Sequence, residues 1–486
     1  MIKKTKLGLM VGALFCSSLT YAQAEHGVPT LSDVLESGVD VSTLQNTIWY
    51  ENRHDLLIKI GTQNGPDDDI PIEKIQKIGK YCVPSKNLSI TDLTEDLKDY
   101  KTGMRPLTFQ KLSTSPCQAL PKDYSQPKTV QDYQFLLDLY KKDMKTHYAF
   151  TPGEMDWDAY KIQDNSISFE EDFIAQIKAI LEELQDCHNL FFDPKNEQLI
   201  HVGCTLDVCQ TENSESGFLA SLISIINSFD ASILNSNALN LLDAQRKEPY
   251  ELTDFQQDFV NSKLGDTLTG KKIGYLRVYG FPEYDQDYLR GLEHVMEGLT
   301  DKDALIIDVR INMGGSDRGA IALAERFMNW DSIEHSRANE IDYVTVKTFK
   351  DGTLDEGKPY VVHKTESTHF HKPVIVLTSP STISAGDQFV VAVKRLVPDA
   401  IRVGRKTPSF YSNLFWRNLS NGMSYGMTNE NFYLNGASLE KDEHNKPKGI
   451  EPDYRIEGQT FENYYSQDNP SFNKALELIK EKLSAK

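Results

Sequence analysis

The sequence predicts a layered α/β domain with a largely parallel sheet, and three features of its second half do so. Ala304–Val309 and Val374–Leu377 are nearly unbroken apolar runs rich in β-branched residues, the pattern of strands buried on both faces. Each gives way to glycine or small polar residues and then to apolar residues at helical spacing. The order strand, helix, strand repeats from Ile273 to Val403, so neighbouring strands should be parallel and joined by right-handed crossovers.

The elements follow from the amino terminus. Lys3, Lys4 and Lys6 precede a mostly apolar stretch, Leu7–Leu19, and Ala22-Gln23-Ala24 supplies small residues at a cleavage position. Residues 1–24 therefore read as a signal peptide, too short in its apolar part to span a bilayer comfortably. The mature chain is expected to be periplasmic or secreted, with no membrane insertion after cleavage after Ala24. Residues 25–150 read as a mixed, mainly helical region, with patchy helical spacing in Leu31–Leu44, Glu95–Leu107 and Val130–Met144.

Ser168-Phe169-Glu170-Glu171 has the form of a capping box. Phe173, Ile174, Ile177, Ile180, Leu181 and Leu184 follow on one helical face, up to Asp186-Cys187-His188 and the strand-like Leu190-Phe191-Phe192. Residues 151–265 thus form a helical region carrying an Asp-x-His motif. Within it 200–208 suits a strand, 218–229 a helix, and 234–264 a helix or linker.

The α/β core is expected over 266–457. Ile273–Val278 is its first strand, and Leu289, Leu292, Val295, Met296 and Leu299 line one face of the next helix. Ala304–Val309 leads to Gly314-Gly315 and a helix from about Ser316 to Met328. Val374–Leu377 leads through Thr378–Thr382 to Ser384, which opens a helix carrying Phe389, Val390, Val391, Val393 and Leu396. Residues 458–486 read as a C-terminal helix.

The composition, 39% hydrophobic and 25% charged over 486 residues, is that of a globular protein of two or more domains. Loss of the leader removes three lysines and no acid, taking the formal charge from −19 to −22. A surface this acidic repels nucleic acid and anionic lipid. Five cysteines remain in an oxidising compartment, an odd number. Cys204 and Cys209 are close in sequence, Cys82 and Cys117 make the natural second pair, and Cys187 is left over.

Ser384 stands where a buried strand hands over to a helix. There a hydroxyl is held rigidly and the first-turn amides point outward. A serine at that position also caps helices for purely structural reasons. Paired glycines after a buried strand let the backbone approach a ligand and direct N–H groups at it, as an oxyanion hole requires; they also make tight turns. No Gly-Lys-Ser/Thr follows them, so they are no phosphate loop. His188, neutral near its ordinary pKa of about 6.5, could serve as a base or simply face a helix end. His363, His369 and His371 offer no third ligand at telling spacing, and no metal or cofactor is expected.

Together, Asp186-x-His188, Asp308-x-Arg310-x-Asn312-x-Gly314-Gly315, Ser384-Ala385-Gly386-Asp387 and Gly449-Ile450-Glu451-Pro452-Asp453 resemble the tail-specific serine peptidase family. That family includes the C-terminal processing peptidases, the tricorn core and retinoid-binding-protein-like repeats. The resemblance implies a crotonase-like ββα superhelix. Ser384 would be the nucleophile, with the amides of Ala385 and of Gly314 or Gly315 as oxyanion hole. The processing group uses a lysine downstream of the serine, but Ser409 occupies that position here and the nearest lysine is Lys406. The tricorn-like group uses an upstream histidine assisted by a glutamate, which fits His188. The family spacing for the assisting acid falls on Lys446, so Glu443 is the nearest candidate, with Asp442 and Glu440 as alternatives. No PDZ-like glycine loop is apparent between Asn189 and Gly270.

The resemblance therefore implies an exported serine endopeptidase that hydrolyses exposed or unfolded polypeptide through an acyl-enzyme on Ser384, with the N-terminal region as lid or filter. The rival is a catalytically inactive member that binds peptides or apolar ligands; a thioester-handling enzyme of crotonase type is a third option. Sequencing of the exported protein should read Glu25 first, and retention of Met1 would remove the signal-peptide reading.

Overall fold

The structure is a computed structural model. It describes residues 30–201 and 271–484 apart from 38–40, 64–69, 90–92, 94–106, 151–154, 165, 185, 187, 283, 313, 333–339, 410–411, 435–436, 439–447 and 460–468. The helix expected from Glu95, the stretches 218–229 and 234–264, and Cys187, Cys204, Cys209, Glu440, Asp442, Glu443 and Lys446 lie outside the described residues.

The N-terminal region departs from the helical expectation. After a short helix α1 (Leu31–Glu36) come β1 (Thr47–Glu51), β2 (Leu56–Ile60), β3 (Ile72–Ile78), β4 (Tyr81–Leu88), β5 (Gln110–Leu112) and β6 (Gln118–Ala119). They form one six-stranded sheet in the order β5-β1-β2-β3-β4-β6, antiparallel except for the parallel β4–β6 pair. Local pattern misleads here. Ile72, Ile75 and Ile78 recur every third residue like a helix face, but a register shift between Lys74 and Ile75 re-phases a strand. The Cys82–Cys117 disulfide forms as expected and fastens β4 near β6.

Two helices follow: α2 (Val130–His147), at the third of the N-terminal patches, and α3 (Phe169–Leu184). The Glu171 amide donates to Ser168 Oγ (3.2 Å), and Phe173, Ile177, Ile180, Leu181 and Leu184 are buried on the anticipated face. The chain then makes the hairpin β7 (Leu190–Asp193) and β8 (Gln198–His201).

The second half holds β9 (Ile273–Arg277), α4 (Gln286–Leu299), β10 (Ala304–Asp308), α5 (Asp317–Glu325), β11 (Glu340–Lys350), β12 (Thr353–Leu354), β13 (Lys358–His363), β14 (Val374–Thr378) and α6 (Ala385–Leu396). After these come β15 (Ile401–Gly404), β16 (Leu414–Asn418), β17 (Ser424–Thr428), β18 (Glu430–Leu434), β19 (Ala437–Ser438), β20 (Tyr454–Arg455) and α7 (Pro470–Ser484). The central sheet runs β20-β15-β14-β10-β9, and every pair is parallel.

Alternation along its strands divides the core. Leu305 and Ile307 of β10 and Val374 and Val376 of β14 face α4, α5 and α6. Ala304, Ile306, Ile375 and Leu377 face α7, against Phe472, Leu476 and Ile479. Both faces are covered, which is why these strands carry no polar alternation. Each large side chain so buried contributes roughly 1.5–3 kcal/mol.

Two further sheets flank this core. One joins β11 to β12, β13 and β18, and β18 to β19. The other runs β16-β17-β7-β8, pairing residues just after His188 with a hairpin more than two hundred positions later.

A buried ion pair fastens the N-terminal half to that hairpin. Arg417, fully buried on β16, donates from Nε to Asp143 Oδ2 (2.7 Å) and from its second terminal nitrogen to Asp143 Oδ1 (2.9 Å). It also donates to the carbonyls of His54 (3.1 Å) and Lys77 (2.8 Å). Burial by itself would raise the Asp143 carboxyl, yet Arg417 and His147 beside it hold it well below the usual range. Replacing Arg417 with Met strands a buried carboxylate. It should cost about 3–5 kcal/mol in urea unfolding, and less on an Asp143→Asn background; equal costs on both backgrounds would show the pair is not coupled.

Candidate active site

The parallel register of β10 and β14 sets Asp308 beside Leu377, so the loops leaving both carboxyl ends emerge side by side. The β10 loop is pinned by its own charges. Arg310, fully buried, donates from Nε to Asp308 Oδ1 (2.9 Å) and from a terminal nitrogen to Oδ2 (2.6 Å), while Tyr275 donates its hydroxyl to the same Oδ2 (2.6 Å). Another Arg310 nitrogen reaches Asn469 Oδ1 (2.7 Å), just before α7. The Asp and Arg of the motif therefore anchor the loop.

Beyond them the chain runs between two neighbours. Asn312 pairs with Thr382 of the β14 loop, and Gly315 pairs with Phe281 of the β9 loop. Gly314 (φ +92°) has no room for a side chain: a Cβ there would lie 2.6 Å from Ser384 Cβ and 3.1 Å from Ser384 Oγ. The expected meeting of the glycine pair with Ser384 is thus present.

Ser384 precedes α6 but does not cap it, since its side chain makes no capping bond. Its backbone lies at φ 54° and ψ −120°, a region that disfavours any residue with a Cβ. The turn is held by the Gly386 amide donating to the Ile383 carbonyl (2.8 Å) and the Gln388 amide donating to the Ser384 carbonyl (2.9 Å). Ser384 is half-buried, and Ala385 behind it is fully buried at the first helical position.

His188 is placed by a different scaffold. Asp186 accepts the His188 amide on Oδ1 (3.0 Å) and the hydroxyls of Tyr148 and Thr428 on Oδ2 (2.9 Å each). The Asp of the Asp-x-His motif thus fixes the backbone that carries the imidazole. His188 is 4% exposed, and burial pushes its imidazole down to about 4, with the Asp186 charge opposing the shift. It is neutral at ordinary pH, the state in which a base accepts a proton.

Two residues beyond Thr428, Glu430 is buried near Asp317, the first residue of α5. Burial, reinforced by Glu430, holds the Asp317 carboxyl well above the usual carboxylate range. The β17–β18 connection therefore runs from the His188 scaffold to the helix that follows the glycine pair.

The structure brings Ser384, Ala385, Gly314 and Gly315 together. Among the described residues Ser384 and His188 share no hydrogen bond. Glu443 lies outside the described residues. Lys406 Nζ lies 3.9 Å from Glu451, and its side chain is 39% exposed. The Gly449–Asp453 turn is clamped to β15, where Asp453 accepts from the Arg402 amide (2.7 Å) and guanidinium (2.6 Å). Among the described residues no group of three or more His, Cys, Asp or Glu is arranged to hold a metal.

Sequence reasoning missed the parts played by Asn312, Tyr148 and Thr428. Asn312 had a local signal, two residues before the glycine pair. Thr428 had none, being 242 positions from the aspartate it supports.

Relief of the Ser384 strain gives a stability test. A strained φ costs roughly 1–3 kcal/mol, and glycine's extra chain entropy returns about 0.5–1 kcal/mol of that. Ser384→Gly should therefore unfold at higher urea, by about 1 kcal/mol; lowered stability would mean the serine is not strained.

Residues 272–456, the span from β9 through β20, match the model of Peptidase family S41. Solved structures with similarity include a Parabacteroides merdae protein described provisionally as a peptidase (17% identity, 73% of this chain and 97% of that one, TM-score 0.47). A lipoprotein from Streptococcus agalactiae matches at 12% identity over 73% of this chain and 98% of that one, with TM-score 0.40. The tricorn protease matches at 19% identity, over 48% of this chain and 19% of its own, with TM-score 0.30. The region that carries Ser384, residues 272–456, is thus a Peptidase family S41 region, and the protein is a serine-type peptidase.

Proposed function

We propose that Ser384 is the nucleophile of an endopeptidase that cleaves exposed or unfolded polypeptide. The observation that carries this reading is the serine itself: strained, uncapped and in contact with a glycine that has no room for a side chain. A serine kept in that conformation without a capping bond contributes little to stability, so its hydroxyl is better explained by chemistry.

In this reading Ser384 Oγ attacks the scissile carbonyl and His188 takes its proton. The tetrahedral oxyanion is held by the Ala385 amide and an amide of the glycine pair. His188 then returns the proton to the leaving amine, and water releases the acyl group by the same route. Glu443 is the candidate to assist the imidazole. The absence of a Ser384–His188 bond is compatible with this, because such contacts often tighten only when substrate is bound. The all-parallel sheet with helices on both faces suits a crotonase-like core. Export through residues 1–24 completes the proposal and supplies the oxidising setting in which Cys82–Cys117 would persist.

Kinetics test it. Ser384→Ala should remove turnover of unfolded casein by several orders of magnitude, His188→Ala nearly as much, and the double variant little more. Because the imidazole is depressed to about 4, kcat/KM should stay high down through pH 6 and fall only near 4. Lys406→Ala should leave most activity. Loss of turnover in Lys406→Ala with His188→Ala mild would move the base to the lysine.

A further inference from the structure

Asn312 makes three polar contacts, each to a different segment of the site. Its Oδ1 accepts the Gly314 amide (2.9 Å), its Nδ2 donates to the Val278 carbonyl (2.9 Å), and its own carbonyl accepts the Ile383 amide (2.8 Å). It is fully buried. Gly386 closes over it, since a Cβ there would lie 2.6 Å from Oδ1. The Asn312 side chain thus bridges the loops after β9 and β10, and its backbone carbonyl ties them to the turn after β14.

The Gly314 amide is therefore already engaged. The Gly314 carbonyl is engaged as well, accepting the Phe281 amide (2.8 Å). All described peptide bonds are trans, so the N–H of the Gly314–Gly315 peptide points opposite to that carbonyl, away from Phe281. Asn312, Gly314 and Gly315 lie between Phe281 on one side and the Thr382–Ser384 turn on the other. Away from Phe281 is thus the side on which Gly314 meets Ser384.

We propose that Asn312 is the positioning residue of the oxyanion hole: by holding the Gly314 amide to itself and tying the turn to Val278, it leaves Gly315 and Ala385 as the two donors. This rests on Ser384 being the nucleophile. Asparagine suits the task because one end accepts from Gly314 while the other donates to Val278. An ionised aspartate could only accept; it would face the Val278 carbonyl and place a negative charge beside the developing oxyanion. A protonated aspartic acid could do both again.

That difference gives the test. Labelling of Ser384 by a fluorophosphonate, which forms the Ser384–phosphorus bond and expels fluoride, would be timed between about pH 5 and 8, a window in which His188 stays neutral. Asn312→Asp should label on the order of 100-fold slower than wild type at pH 8, through the rate constant more than through probe binding. It should recover towards wild type as pH falls, while Asn312→Ala stays slow throughout. Wild-type labelling of Asn312→Asp at pH 8, or an equal and pH-independent defect in both variants, overturns the role of Asn312.

Amide hydrogen exchange on the wild type covers the case in which the variants fail to fold. Gly314 should be protected before labelling and unchanged after it, and Gly315 should gain protection only in the adduct. A gain at Gly314 instead overturns the assignment. Wild type that is not labelled at Ser384 removes the nucleophile and this inference together; labelled wild type with either contrary result removes this inference alone.

Discussion

The parallel pairing of β10 with β14 is the constraint on which the site depends. It sets Asp308 against Leu377, so the chain leaving one strand as the glycine pair meets the chain leaving the other as Ser384. A parallel pair needs its crossover on a face of the sheet, and that requirement puts α5 behind one loop and α6 behind the other. The first turn of α6, which starts directly after the serine, leaves amides there without helical partners. The pairing is maintained by apolar contacts on both faces, α4 to α6 on one and α7 on the other.

A second constraint is electrostatic. Arg417 and Asp143 are both fully buried, and a lone charge in either place would be costly. Their union holds β16 against α2 and the β3 backbone. Lys350 beside Asp55 (2.8 Å) adds a tie between β11 and the β1–β2 turn. Through β17 the same hairpin positions β7, and with it Asp186 and His188. These contacts tie the N-terminal sheet to the hairpin that positions His188.

The chemistry of the site follows from what each group is denied. Ser384 is denied a relaxed backbone and a capping bond. His188 is denied water, which keeps its imidazole neutral well into acid. Gly314 is denied a side chain by Ser384, and its amide is held by Asn312.

The sequence by itself determined the α/β core and the local parts of the site. Val374–Leu377, Ala304–Asp308 and the helices after them were legible because burial on both faces leaves an apolar run, and because glycine and serine mark the turns that end it. The capped helix Phe169–Leu184 was legible for the same local reason. Only the tertiary structure decided the rest. The N-terminal sheet was not legible, in part because a register shift hides the alternation of β3. That Ser384 makes no capping bond and has a strained backbone could not be read from the sequence, because a strained φ leaves no mark on residue type. That the Asp186 carboxylate supports the His188 backbone through Thr428 and Tyr148, that β7 pairs with β17, and which glycine amide is available are facts of long-range packing. Hydrogen bonds between residues hundreds of positions apart impose no spacing on the chain, so no periodicity could have shown them.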